Sequence, residues 1–143
     1  MKIKKILVPL DGSENSLKSL KQAADLAGIV GASITCLHVV TGMSAFAAVH
    51  PLIIPEAKWP GYVKDIMKDA RRIASQAGIQ YQEAVIGGMA AGYDIVTFAD
   101  SRANAVDLIV IARRGQYLAR EAFPGSTANF VIHKSRTPVL LVR

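Results

Sequence analysis

At 143 residues, 51% of them hydrophobic, the chain is long enough to bury one core and too short for two ordinary domains. No apolar run reaches the roughly 18–20 residues that span a bilayer. Behind the basic start Met1-Lys2-Ile3-Lys4-Lys5, the breaks at Pro9, Asp11, Gly12 and Glu14 argue against a signal peptide and for a cytoplasmic protein. The formal charge of +6 suits an anionic partner, yet the basic residues are scattered and aromatics make up only 6%, which speaks against nucleic acid.

In chain order, Ile3 to Leu10 is an apolar, β-branched run that reads as a strand. Leu17, Leu20, Ala24 and Ala27 then recur at helical spacing. Ile34 to Val40 is a second strand; it holds Cys36, the single cysteine, which excludes an internal disulfide and reads as an inert core thiol. Thr41 to Gly61, with Pro51, Pro55 and Pro60, is too long for a plain turn. Its apolar residues Phe46 to Val49 and Leu52 to Ile54 suit a short helix or a flap, and a linker is the competing reading.

Val63, Ile66, Met67, Ala70, Ile73, Ala74 and Ala77 mark the strongest amphipathic helix, and Gly78 closes it. Tyr81 to Ile86 is a third strand ending at Gly87-Gly88, and a helical pattern follows from Tyr93 to Ala103. Asp107 to Ala112 (DLIVIA) is a fourth strand. Gly125-Ser126-Thr127 opens a last helix, and Pro138 to Val142 (PVLLV) is a fifth strand.

Strands alternating with helices, each strand continuously apolar, predict a single α/β domain over 1–143 with a parallel sheet covered on both faces. Right-handed crossovers favour an open, doubly wound, five-stranded sheet in the order third-second-first-fourth-fifth. Winding reverses between the first and fourth strands, and ligands of such sheets bind there, beyond the strands' carboxyl ends. The residues at those ends are Pro9-Leu10-Asp11-Gly12-Ser13 and Ala112-Arg113-Arg114-Gly115.

Gly125-Ser126-Thr127 offers backbone N–H groups, a helix N-terminus and hydroxyls, which are the parts of a phosphate cradle. The plainer alternative is Ser126 as an N-cap. Asp11 can accept hydrogen bonds from ribose hydroxyls or an amine; alternatively Asp11-Gly12-Ser13 is only a turn leading to an N-cap at Ser13. His38 in its strand reads as core rather than base, and His133 near a helix end suits the dipole. Neither a catalytic set nor metal-ligand spacing emerges, and a receiver-type acidic cluster after the first strand is missing.

Ile6-Leu7-Val8-Pro9-Leu10-Asp11-Gly12-Ser13-Glu14-Asn15-Ser16, Leu37-His38-Val39-Val40, Asp107 to Ile111 and Pro138 to Val142 together resemble, in order and end to end, the universal stress proteins. In ATP-binding members the phosphate motif reads Gly, two residues, Gly, nine residues, Gly, then Ser or Thr. Here Gly115, Gly125 and Ser126 keep the nine-residue spacing, and Ala112 replaces the first glycine.

Carried over by position, Pro9, Leu10, Asp11 and Val39 (through its backbone) would line an adenosine pocket. Ile111, Ala112 and Gly115 would approach the ribose and α-phosphate, and Gly125, Ser126 and Thr127 would hold the phosphates, with Arg113 and Arg114 adding positive charge near them. The resemblance thus implies a regulatory module for ATP or another adenine nucleotide, with or without Mg2+, at most a slow or partner-dependent ATPase. It also implies a homodimer through the final strand, an apolar edge that tends to find a partner. Two departures bear on this. Ala112 is strained if its φ must be positive, and Gln116-Tyr117 is bulky in the phosphate loop. If they close the pocket, the chain is an interaction protein without nucleotide, acting through dimerisation and partner contacts.

Overall fold

The computed structural model describes residues 1–42, 52–114 and 125–143. In chain order these form β1 (Lys5–Pro9), α1 (Glu14–Val30), β2 (Ser33–Val40), β3 (Leu52–Ile53), α2 (Gly61–Ala77), β4 (Tyr81–Gly87), α3 (Ala91–Asp100), β5 (Leu108–Ala112), α4 (Ser126–Lys134) and β6 (Val139–Val142).

Local chemistry explains the helix limits. Ser13 caps α1 by accepting from the Ser16 N–H, and Gly31 ends it in the left-handed region at φ 71°. Gly78 ends α2 in the same way, at φ 66°. Along α2 the buried Val63, Ile66, Met67, Ala70, Ile73 and Ala74 recur at three- and four-residue steps, so one stripe faces the sheet. The pattern expected from Tyr93 to Ala103 divides: α3 stops at Asp100, and Arg102–Asn104 is a separate 3-10 turn.

The sheet order is β3-β4-β2-β1-β5-β6. Its parallel part, β4-β2-β1-β5-β6, follows the order expected from the alternation. The expectation of five strands, all parallel, is corrected by β3, a two-residue antiparallel strand pairing Leu52 with Gly87 and Ile53 with Ile86. Two apolar residues after a long connection were legible only as part of a flap. They pair because β4 would otherwise leave an open edge, and the Ile54 N–H extends the pairing to the Val85 carbonyl at 2.8 Å.

A 3-10 turn at Glu56–Lys58 follows and is fastened down. Buried Trp59 donates its indole N–H to the Ile54 carbonyl at 2.8 Å. The Arg71 guanidinium bridges Glu56 and Glu83 at 2.9 and 2.8 Å, and lies over the Trp59 ring.

The core has two layers. On one face Ile6, Val8, Ile34 and Cys36 pack under Leu20 and Ala24 of α1 and Val63 and Met67 of α2. On the other, Leu7, Leu37, Ile109 and Ile111 pack under Ile95 of α3 and Ala128 and Val131 of α4. Cys36 is fully buried, and burial pushes its thiol up to about 12, so the inert reading holds.

Candidate functional site

A crevice opens where β1 stops, and Pro9 is the reason. Alternate residues of a strand turn their backbone groups to opposite neighbours. The Leu10 N–H goes to the Leu37 carbonyl of β2 at 2.8 Å, so the position before it faces β5. That position is proline, which has no N–H to give. Pairing of β1 with β5 accordingly runs only through Ile6–Leu108 and Leu7–Ile109, while β2 continues to Val40 and β5 to Ala112.

The overrunning strands leave backbone groups facing the gap. The Gly88 N–H donates to the Val40 carbonyl at 2.9 Å, which turns Val40 toward β4 and the N–H and C=O of Val39 toward the place β1 has vacated. Likewise the Arg113 N–H donates to the Val142 carbonyl at 2.7 Å, so the backbone groups of Ala112 face the same gap from the other side. The cavity between them has a volume of about 670 Å³, in the range of small-molecule sites.

After β1 the chain turns sharply. Gly12 sits at φ 87°, a conformation that favours glycine, and the Asp11 carboxylate accepts from the Ser13 N–H and Oγ at 2.9 and 2.6 Å. The turn reading of Asp11-Gly12-Ser13 is therefore correct, and the same Asp11 lines the crevice.

On the opposite wall stands the N-terminus of α4. Gly125, not Ser126, is its N-cap, and among the described residues no side chain caps the helix. Ser126 is the first helical residue, so the capping alternative is overturned. The first-turn N–H groups of Ser126, Thr127 and Ala128 have no partner one turn back within the helix. They carry the positive end of the helix dipole. The Gly125 N–H is tied to the Arg113 carbonyl at 2.8 Å, which holds this terminus beside the end of β5.

The crevice brings together most of the residues singled out in the sequence. Pro9, Leu10 and Asp11 of the β1 end, Val39 of β2, Ile111, Ala112 and Arg113 of the β5 end, and Gly125, Ser126 and Thr127 of α4 all line it. Arg114 is described but is not among the lining residues. Gly115, Gln116, Tyr117 and His50 lie outside the described residues. Among the described residues, Ala105 (φ 50°) is the one non-glycine with a positive φ. Ala112 therefore carries no left-handed strain.

The sequence reading missed the wall built by α2, where Tyr62, Asp65 and Ile66 line the crevice. Their spacing of three and four residues places them on one helix face, a signal hidden by the stronger apolar stripe. His38 is buried, as expected of a core residue, yet it too lines the crevice. Its Nδ1–H donates to the Leu10 carbonyl at 2.7 Å. Burial holds the imidazole below its usual pKa against the opposing pulls of that bond and of Asp11, so the ring is neutral at pH 7. His133 lies in the last turn of α4, where a cation suits the dipole.

Matched against protein families, the chain fits the Universal stress protein family over residues 2–143. Among curated proteins it is similar to Universal stress protein YxiE of Bacillus subtilis, 33% identical over 150 residues that cover 97% of this chain and 98% of that one. Among solved structures it is similar to a universal stress protein in complex with cAMP, with TM-score 0.74 and 23% identity, covering 100% of this chain and 98% of that one. It is also similar to the universal stress protein from Archaeoglobus fulgidus in complex with dAMP, with TM-score 0.72, 23% identity and full coverage of both chains.

Proposed function

This chain belongs to the universal stress protein family, and from that premise we propose that it binds an adenine nucleotide in the crevice between β1 and β5, as a regulatory module rather than a strong catalyst. The observation that carries the reading is the joining of three complementary features in one cavity. Val39 presents a backbone donor and acceptor, Asp11 a carboxylate, and α4 an N-terminus that no described side chain caps.

Each matches one part of a nucleotide. A donor and an acceptor side by side suit the edge of adenine, a carboxylate accepts from ribose hydroxyls, and helix N–H groups with the Ser126 and Thr127 hydroxyls receive phosphate. Pro9, Leu10 and Ile111 supply apolar contact for the base and ribose. Ala112, Arg113 and Gly125 line the crevice where the α-phosphate would lie, and the family motif adds Arg114 and Gly115 to the proposal by position alone. The cAMP and dAMP bound by similar proteins support the class of ligand. ATP with Mg2+ belongs to the proposal as the larger ligand. Among the described residues no cluster of three His, Cys, Asp or Glu gathers, so the metal would rest on phosphate oxygens and water.

Calorimetric titration of the purified protein with AMP, and with ATP and magnesium, tests this. Saturable heat with micromolar affinity, about 8 kcal/mol, is expected. No heat with either nucleotide at protein concentrations of roughly 100 μM would sink the reading and leave the interaction protein without nucleotide.

The proposed assembly is a homodimer through β6. That strand pairs with β5 on one side. The Ile109 N–H donates to the Pro138 carbonyl and the Arg113 N–H to the Val142 carbonyl, so the backbone groups of Val139 and Leu141 face the outer edge. Proline at 141 removes an outward donor and spares the ladder to β5, whereas proline at 140 would break that ladder. Leu141→Pro is expected to give monomers by light scattering with the fold retained; an unchanged dimer places the interface elsewhere.

A further inference from the structure

The crevice has a wall that the nucleotide reading has not used. On the face of the sheet covered by α1 and α2 it is lined by His38, Tyr62 and Asp65. His38 is 7% exposed, and its two ring nitrogens stand in opposite situations. Nδ1 is spent on the Leu10 carbonyl at 2.7 Å, which requires the proton there and leaves Nε2 with a bare lone pair. Among the described residues, that Nε2 is buried without a hydrogen-bond partner.

A buried acceptor left unpaired costs the full desolvation of the group, which a folded chain retains where a ligand repays it. The half-exposed Tyr62 ring meets the imidazole edge-to-face, with centroids 5.6 Å apart, and so closes the outside of this wall. Asp65 stands one turn further along α2. Nε2 of the neutral imidazole and the Asp65 carboxylate are acceptors, and the Tyr62 ring stands with them, its hydroxyl able to donate or accept. The fitting ligand group is a donor on a flat ring.

Resting on the nucleotide reading above, we propose that His38, through Nε2, is a specificity-determining residue that accepts a hydrogen bond from the exocyclic amine of the bound purine. An exocyclic amine carries two N–H groups. The Val39 carbonyl satisfies one, and His38 takes the other. The bond to Leu10 fixes the tautomer, so the same contact that anchors the β1 turn decides that Nε2 can only accept. A 6-keto purine would set an oxygen against this lone pair and be rejected, as sites with committed hydrogen-bonding groups reject mismatched analogues.

The test compares AMP with purine riboside 5′-monophosphate, which lacks the amine, by calorimetric titration of the wild type and of His38→Asn. Asparagine keeps a donor near the Nδ1 position and removes the Nε2 acceptor. The wild type is expected to prefer AMP about tenfold, and His38→Asn to keep only the share of that preference due to the Val39 carbonyl, while its melting temperature stays close to wild type. Undiminished preference in His38→Asn assigns the amine to Val39 alone and overturns the proposal, while nucleotide binding itself stands. Failure of the wild type to bind either compound overturns both.

Should the variant misfold, the imidazole 15N spectrum of the wild-type protein decides. Saturation with AMP is expected to move the Nε2 resonance in the direction of an accepted hydrogen bond, and saturation with the amine-free analogue to leave it in place. Equal movement with both ligands, or none with AMP, overturns the assignment.

Discussion

Replacing Asp11 with alanine is expected to weaken AMP binding by about ten- to a hundredfold, with little change in stability. A hydrogen bond to a charged group contributes about 1.5–3 kcal/mol, which is that range in affinity. Asp11 holds the Ser13 N–H and hydroxyl, but Ser13 caps α1 through its own oxygen, 3.1 Å from the Ser16 N–H, and that cap survives the loss of Asp11. Asp11→Asn separates the two roles. Its amide oxygen can still accept in the turn while the charge is gone, so affinity should fall and the melting temperature should not. Titration calorimetry checks the affinities, and circular dichroism melts check the fold. Equal affinity across wild type, alanine and asparagine would remove the ribose role from Asp11.

Why this much of the site was legible follows from what each signal depends on. The alternation of apolar strands with helices fixes the parallel order, and the order alone predicts a crevice at the end of β1. Pro9 was readable as a family residue, but its physical part, ending the ladder toward β5, needed the register. The α4 terminus was legible from Gly125-Ser126-Thr127, although the residue preferences that suggested Ser126 as the cap also admit Gly125, which takes that place.

What the sequence hid were contacts set by tertiary approach. His38 sits in an apolar run, so its neighbours announce burial and nothing in them announces the Leu10 carbonyl. Tyr62 and Asp65 belong to α2 by spacing, but which side faces β2 depends on how the helix is docked. The strand β3 is two residues long, below the length at which alternation can be seen. Its pairing is a property of the open edge of β4.

Asp100→Ala is expected to destabilise the protein by about 1–3 kcal/mol at pH 7, through loss of a part-buried hydrogen-bond network. The Asp100 side chain, 11% exposed, gathers the turn between α4 and β6. It accepts from Ser135 Oγ at 3.2 Å, the Arg136 N–H at 3.1 Å, the Thr137 N–H at 3.1 Å and Thr137 Oγ1 at 2.9 Å. Its ion pair with Arg136 is 3.7 Å long, to a side chain 89% exposed, and contributes little. Burial alone would raise the carboxyl pKa, but the donors from Arg136, Thr137 and Ser135 outweigh it and hold it below its usual value.

The sign of the pH dependence follows. A carboxylate with a depressed folded pKa contributes its full stability above the unfolded value, about 3.9, and loses it as pH falls through the folded pKa. Urea denaturation at pH 7 should therefore show the whole gap between wild type and Asp100→Ala, and the gap should narrow as the pH is taken below about 4. A gap independent of pH would mean that the charge of Asp100 is not what holds the turn. Asp100→Asn, which keeps an acceptor oxygen without the charge, should fall between the two at neutral pH, and its lead over Asp100→Ala should not change with pH. Because this turn delivers the chain into β6, its loosening reaches the edge through which the dimer is proposed. A lower dimer affinity in Asp100→Ala, absent in Asp11→Ala, would separate the assembly determinant of the fold from its ligand-binding one.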